Sequence, residues 1–145
     1  MDRIKLSENF YLDEFLDPDS HEGLEKGLAI AQFLRETTGL PVTINNWSSG
    51  GQYKYSGFRP PQCTIGSPTS EHRKLNANDY KIGNWTGSQM QDFVRKHATQ
   101  LFVLGVRRME HISLTPTWLH LDCKEHGENC IKIIDLKSVV EKILA

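Results

Sequence analysis

The hexapeptide Trp118-Leu119-His120-Leu121-Asp122-Cys123 constrains this chain more than any other stretch. Side chains alternate across a β-strand, so Leu119, Leu121 and Cys123 share one face while Trp118, His120 and Asp122 share the other. Such a segment belongs in a sheet with its apolar face covered and a histidine and a carboxylate on its open face. Taken alone, the His-x-Asp pair fits a surface histidine beside an acid as well as it fits a working site.

The rest of the chain supplies partners for that strand. Phe10, Leu12 and Phe15 form a short apolar anchor that Pro18 stops. Leu24, Leu28, Ala31 and Leu34 follow at helical spacing, with Ser20 as N-cap and Gly39 past the end. Val42-Thr43-Ile44, Asn76 to Ile82 and Val106 to Ile112 read as further strands, the last joined to Trp118–Cys123 through a turn at Pro116. Ser88 with Gln91 has the form of a capping box. It would open a second helix, marked by Met90, Phe93, Val94, His97 and Leu101. Leu136, Val139, Val140, Ile143 and Leu144 predict a closing helix over Asp135 to Leu144. Helices and strands do not alternate regularly, so the expected fold is α+β, a small antiparallel sheet with flanking helices. The 145 residues favour one domain over 1–145, long enough to bury a core without staples.

Composition removes some function classes. Seventeen basic residues balance 18 acidic ones for a net charge of -1, which argues against a nucleic-acid or anionic-membrane partner. No apolar run approaches the roughly 18 residues of a membrane span. The opening Met-Asp-Arg-Ile-Lys-Leu-Ser-Glu lacks an apolar signal core, so cytoplasmic synthesis is expected, with any export by another route. Cys63, Cys123 and Cys130 are odd in number and lack metal-type pair spacing, which predicts reduced thiols. The expected state is a monomer.

A second histidine and a second acid complete the candidate centre. His72 and Asp79 stand seven residues apart, an odd separation that would place them on opposite faces of one strand. They converge only if the chain bends between them, which Arg73 to Asn76 allow, setting His72 on a loop and Asp79 at the start of a strand. Together with His120, two imidazoles and one carboxylate suit zinc, with a fourth position left for water. Spacing alone is equally that of unrelated polar groups. Between Asn45 and Ser70 runs a stretch rich in Gly, Ser and Pro, long enough to be functional or disordered; Tyr53, Tyr55, Phe58 and Arg59 argue against disorder. Trp47, Tyr53, Tyr55 and Trp118 are aromatics for a cleft or for the core. His97 reads as a packed histidine, His21 and His126 as loop residues in solvent, and His111 as facing away from Glu110.

In order, Gly57-Phe58-Arg59-Pro60-Pro61, Ser70-x-His72, Ala77-x-Asp79 and Trp118-x-His120-x-Asp122 resemble the zinc D-alanyl-D-alanine carboxypeptidase family. That family includes phage endolysin peptidases and shares its fold with the Hedgehog signalling domain. The resemblance runs from about Leu6 to Cys123; Ser7-Glu8-Asn9-Phe10 to Phe15 and Thr43-Ile44-Asn45-Asn46-Trp47 also look like members from phages and their hosts. It implies that His72, Asp79 and His120 bind Zn2+. It further implies that Arg59 holds a substrate carboxylate or the developing oxyanion, the alternative being a structural ion pair. Many members carry an acid three residues before the last histidine; Thr117 stands there and cannot serve. Hedgehog-type relatives place a Glu further upstream of the final histidine, so the resemblance implies Glu110, ten residues before His120 and brought near by a hairpin, as general base. Asp122 is its rival, or else orients the His120 ring. Leu75 replaces a family glycine and would be strained at positive φ, so this loop is expected to differ. The implied function is a zinc peptidase cutting peptidoglycan stem peptides, of D,D-carboxypeptidase or L,D- or D,D-endopeptidase type, from a phage or prophage lysis system. The alternative is a catalytically inactive module of the same fold that binds zinc and the cell wall or belongs to a virion.

Overall fold

A computed structural model describes residues 2–16, 25–74 and 76–145. The expected N-cap Ser20, together with Pro18, His21, Leu24 and Leu75, lies outside them. The elements are α1 (Glu25–Thr38), β1 (Val42–Thr43), β2 (Ala77–Ile82), α2 (Gly87–Lys96), α3 (Ala98–Val103), β3 (Arg108–Glu110), β4 (Leu119–Asp122), β5 (Cys130–Ile134) and β6 (Val139–Leu144). Six strands form one sheet in the order β1-β2-β4-β3-β5-β6. With three helices beside it, the fold is α+β as expected.

The sheet is not purely antiparallel, because β3 and β5 pair in parallel. β3 and β4 run in opposite directions, and a short connection from β4 brings β5 back the way β3 runs. β5 then lies on the free side of β3 rather than beside β4.

The expected closing helix is also corrected: Val139–Leu144 is the edge strand β6, paired antiparallel with β5. Leu136, Val139, Val140, Ile143 and Leu144 do fall at helical spacing. However, Asp135 Oδ1 accepts from the backbone N–H groups of both Lys137 and Ser138 at 2.8 Å, a carboxylate-capped turn that halts a helix. The β-branched residues that follow find a partner strand of the same kind in Cys130-Ile131-Lys132-Ile133-Ile134.

α1 forms where the apolar spacing places it, burying Ile30, Ala31 and Leu34 and ending at Gly39 with φ 69°. The second helix starts two residues earlier than the Ser88 frame. Thr86 Oγ1 accepts from Gln89 N, and Gln89 Oε1 accepts from Thr86 N. Gln91 instead donates Nε2 to the carbonyl of Glu110 at 3.0 Å, tying α2 to the end of β3. His97 (φ -113°, ψ 25°) breaks the helix into α2 and α3. Its ring stays packed against Phe33 and Phe93, as expected.

All three helices contribute to one apolar cluster. Ile30, Leu34, Met90, Val94 and Leu101 meet Tyr80, Ile82, Met109, Leu119, Leu121, Ile131 and Ile133 from the sheet. Burying Leu119 and Leu121 this completely contributes roughly 1.5–3 kcal/mol each. Phe10 and Phe15 join the same cluster, so the N-terminal anchor is real. Paired residues of an antiparallel ladder share a face. Asp79↔His120, Ala77↔Asp122 and Arg108↔Asp122 therefore collect on the face away from the helices.

Candidate metal centre

The long loop reaches that face because polar groups fasten it there. Asn45 Nδ2 donates to Leu16 O while its Oδ1 accepts from Ser56 N, both at 2.9 Å. Lys81 spans Ile44 O (2.8 Å) and Ser56 Oγ (2.9 Å), with its ammonium over the Tyr53 ring. Ser56 O in turn accepts from Asp79 N, and Phe58 N donates to Phe15 O. This last contact leaves no room at residue 57: a Cβ on Gly57 would lie 2.1 Å from the Phe15 carbonyl oxygen. Further on, Arg73 donates to the carbonyls of Ser67, Pro60 and Cys63 at 3.1, 2.9 and 2.6 Å, closing the segment from Pro60 to Arg73 on itself.

His72 sits in a 3-10 turn, Glu71–Lys74, and Asn76 bonds back to Glu71 through both backbone and side chain. The chain thus bends between His72 and Asp79 as their spacing demands. Asp79 Oδ1 lies 3.3 Å from His72 Nε2 and 2.9 Å from His120 Nδ1, and the two nitrogens are 3.2 Å apart. His72 and His120 are buried, and Asp79 keeps 13% of its side chain exposed.

The remaining nitrogen of each ring is anchored. His72 Nδ1 donates to Gly57 O at 2.7 Å, and His120 Nε2 faces Asp122 Oδ2 at 3.4 Å. A carbonyl only accepts, so Nδ1 of His72 carries the hydrogen and Nε2 of the neutral ring offers a lone pair. In that state the lone pair faces a carboxylate oxygen, and a cation, whether a proton or a metal ion, is what the two atoms can hold in common. Ligands about 2.0–2.1 Å from a tetrahedral ion sit roughly 3.3 Å apart, close to the spacing seen here. The buried group His72, Asp79 and His120 can therefore hold a metal ion.

Burial opposes charge on His120, but hydrogen bonds to Asp122 and Asp79, with the nearby charges of Asp79 and Glu110, push its pKa up to about 10. Burial also works against the Asp79 carboxylate, yet the charges and hydrogen bonds of the two histidines hold it far below the ordinary range.

These groups line a cavity of about 420 Å³ that also includes Arg59, Glu71, Arg108, Glu110, Trp118 and Asp122. The two rival acids are placed differently in it. Asp122 accepts from Arg108 Nε and Nη2 at 2.8–3.1 Å, from Lys124 N and from His120, and its side chain has no exposure. Glu110 ends β3, one step beyond the Met109↔Leu121 pair, which sets it beside His120; its carboxylate has no ion-pair partner among the described residues. Arg59 donates Nε to Tyr55 O at 2.8 Å and Nη2 to Asp79 Oδ2 at 3.3 Å, so its structural ion pair and its place in the cavity coexist. Of the four candidate aromatics, Trp118 lines the cavity. Trp47 and Tyr53 serve the loop instead, through Leu16 O and the Lys81 ammonium.

Sequence reasoning did not single out Arg108, Lys81 or the Gly57 carbonyl. The one signal for Arg108 is its alternation with Glu110, which puts both on the site face. His126 is half-buried rather than solvent-exposed, with Nε2 donating to Arg107 O. It approaches Glu128 and Cys130. That second group is committed elsewhere: Glu128 pairs with Lys132 and Lys142, and His126 Nδ1 accepts from Glu128 N. Cys63, Cys123 and Cys130 are buried and unbridged, as expected.

Comparison with protein-family models, with curated proteins and with solved structures finds no match for this chain. No helix among the described residues is long and apolar enough to cross a membrane.

Proposed function

We propose that this chain is a zinc-dependent peptidase that hydrolyses the peptide stems of bacterial peptidoglycan. His72, Asp79 and His120 would be its metal ligands and Glu110 its general base. The observation that carries the reading is the paired anchoring of the two imidazoles, with an unpaired carboxylate in the same cavity. Hydrogen bonds on the far ring nitrogens fix tautomer and orientation, the arrangement that metal-binding histidines need. Bound there, zinc supplies a Lewis acid that polarises the scissile carbonyl and brings the pKa of the attacking water towards 7.

The protein's own groups do the rest. Glu110 takes the proton of the attacking water and passes it to the leaving amine, a contribution of about 10²–10⁴ in rate. Arg59, held at Nε and Nη2, turns its remaining donors to a substrate carboxylate or the developing oxyanion. Asp122 is the orienting group for His120 rather than the base, because Arg108 and the Lys124 N–H already engage its oxygens. The Hedgehog and D-alanyl-D-alanine carboxypeptidase architecture, action at the cell wall after release, and origin in a phage or prophage lysis system belong to the same proposal. Zinc-loaded protein should release new amino groups from purified peptidoglycan, a chelator should stop it and added zinc should restore it. Inert protein, with His120→Ala no different from the parent, would end this reading.

A further inference from the structure

Most charges lining the cavity have an ion-pair partner, in two cases another lining residue and for Glu71 the neighbouring Lys74. Arg59 meets Asp79, Arg108 meets Asp122, and Glu71 meets Lys74. Among the described residues lining it, Glu110 and Lys124 are the two charges with no ion-pair partner. Glu110 stands beside His120 at the centre. Lys124 stands at one end, four residues past His120 and so at most about 14 Å away along the chain.

The opposite end is apolar. Trp118 precedes His120 by two residues. Ile134 lies across from Glu110 in the parallel ladder, and Leu136 follows in the turn between β5 and β6. Leu136 is 85% exposed, a large aliphatic side chain that does nothing for the core yet sits on the rim of a polar cavity.

We infer that the cleft takes an extended acidic peptide in one direction, with an aliphatic side chain on Trp118, Ile134 and Leu136 and a carboxylate on Lys124. This rests on the peptidase reading above and names its specificity-determining residues. An extended peptide advances about 3.3 Å per residue, so with the reach of both side chains the carboxylate lies two or three residues from the bond that is cut. The free Lys124 ammonium gives charge complementarity, and the apolar rim fixes which end of the peptide lies where.

Calorimetry on zinc-loaded Glu110→Gln protein, which would bind without turnover, tests this. The probes are a synthetic stem peptide with its internal D-glutamyl carboxylate free and the same peptide with that group amidated. The free acid should bind about five- to ten-fold more tightly. Adding Lys124→Ala should abolish that difference by weakening only the acid. Leu136→Ser should weaken both peptides about five-fold. Both positions are exposed, so the variants should keep the parent melting temperature. Equal binding of acid and amide, or equal binding by all variants, overturns the subsite assignment and leaves the peptidase reading standing. Failure of both peptides to bind at all overturns both.

Discussion

Arg108 grips Asp122 with a fork of hydrogen bonds at 2.8–3.1 Å, directly behind the histidine that Asp122 faces. The fork holds a fully buried carboxylate where it faces His120 Nε2 at 3.4 Å. Asp122→Asn should weaken zinc binding about 10- to 100-fold, and Arg108→Ala should do so by a similar factor, since partners behind metal-binding histidines have effects of this size. Competition titrations against a zinc-sensitive dye check this. Arg108→Lys should recover only part of the loss, because an ammonium cannot reproduce the fork.

Gly57 acts through its backbone. Its carbonyl holds His72, and a Cβ there would meet the Phe15 carbonyl oxygen at 2.1 Å. Gly57→Ala must push the loop away from Phe15 and shift the carbonyl that holds His72. The expected cost is roughly 1–3 kcal/mol of stability, measured by urea unfolding. Zinc affinity should fall further than stability does.

Metal uptake should displace a proton. With the His120 pKa raised to about 10 in the metal-free protein, the ring is charged at pH 7.5. A folded pKa above the ordinary 6.5 means that charged His120 stabilises the metal-free protein below about pH 6.5, a contribution lost as pH rises through about 10. Zinc needs the Nδ1 lone pair, so its affinity should rise about tenfold per pH unit between these limits. Calorimetry in buffers of different ionisation enthalpy should report about one proton released per zinc. Release of none would contradict the assignment of His120.

The edge strand β6 is exposed, with Val139, Val140 and Leu144 on the surface. Two copies pairing antiparallel about a two-fold axis match residues on the same face. The registers that cover most of this strand therefore set Glu141 against Glu141 or Lys142 against Lys142, and like charges directly opposite are destabilising. Glu141→Val with Lys142→Val should promote self-association, seen by sedimentation, while the parent stays a monomer at the same concentration.

The three candidate ligands were legible because strand alternation presents His120 on the open face and the resemblance in motif order points to His72 and Asp79. Their convergence depends on a turn between residues 72 and 79 that local spacing permits. Arg108 was not legible, since its fork onto Asp122 follows from the register of β3 on β4, a non-local fact. The Gly57 carbonyl escaped for another reason: a backbone acceptor leaves no mark in residue type beyond the glycine itself. At the C-terminus the same apolar positions satisfy a helical stripe and a strand, and pairing with Cys130–Ile134 decides between them. At α2, Thr86-x-x-Gln89 and Ser88-x-x-Gln91 offer the same cap; the carbonyl of Glu110 takes Gln91 and leaves the first frame.

The central claim is that Glu110 works beside a metal held by His72, Asp79 and His120, and one comparison tests it most directly: the rate of amide cleavage in a defined muropeptide by zinc-loaded parent and by Glu110→Gln protein of equal zinc content. The account predicts cleavage by the parent and a loss of about 10²–10⁴-fold in the variant, with melting temperature unchanged. Equal rates at equal zinc content would contradict it.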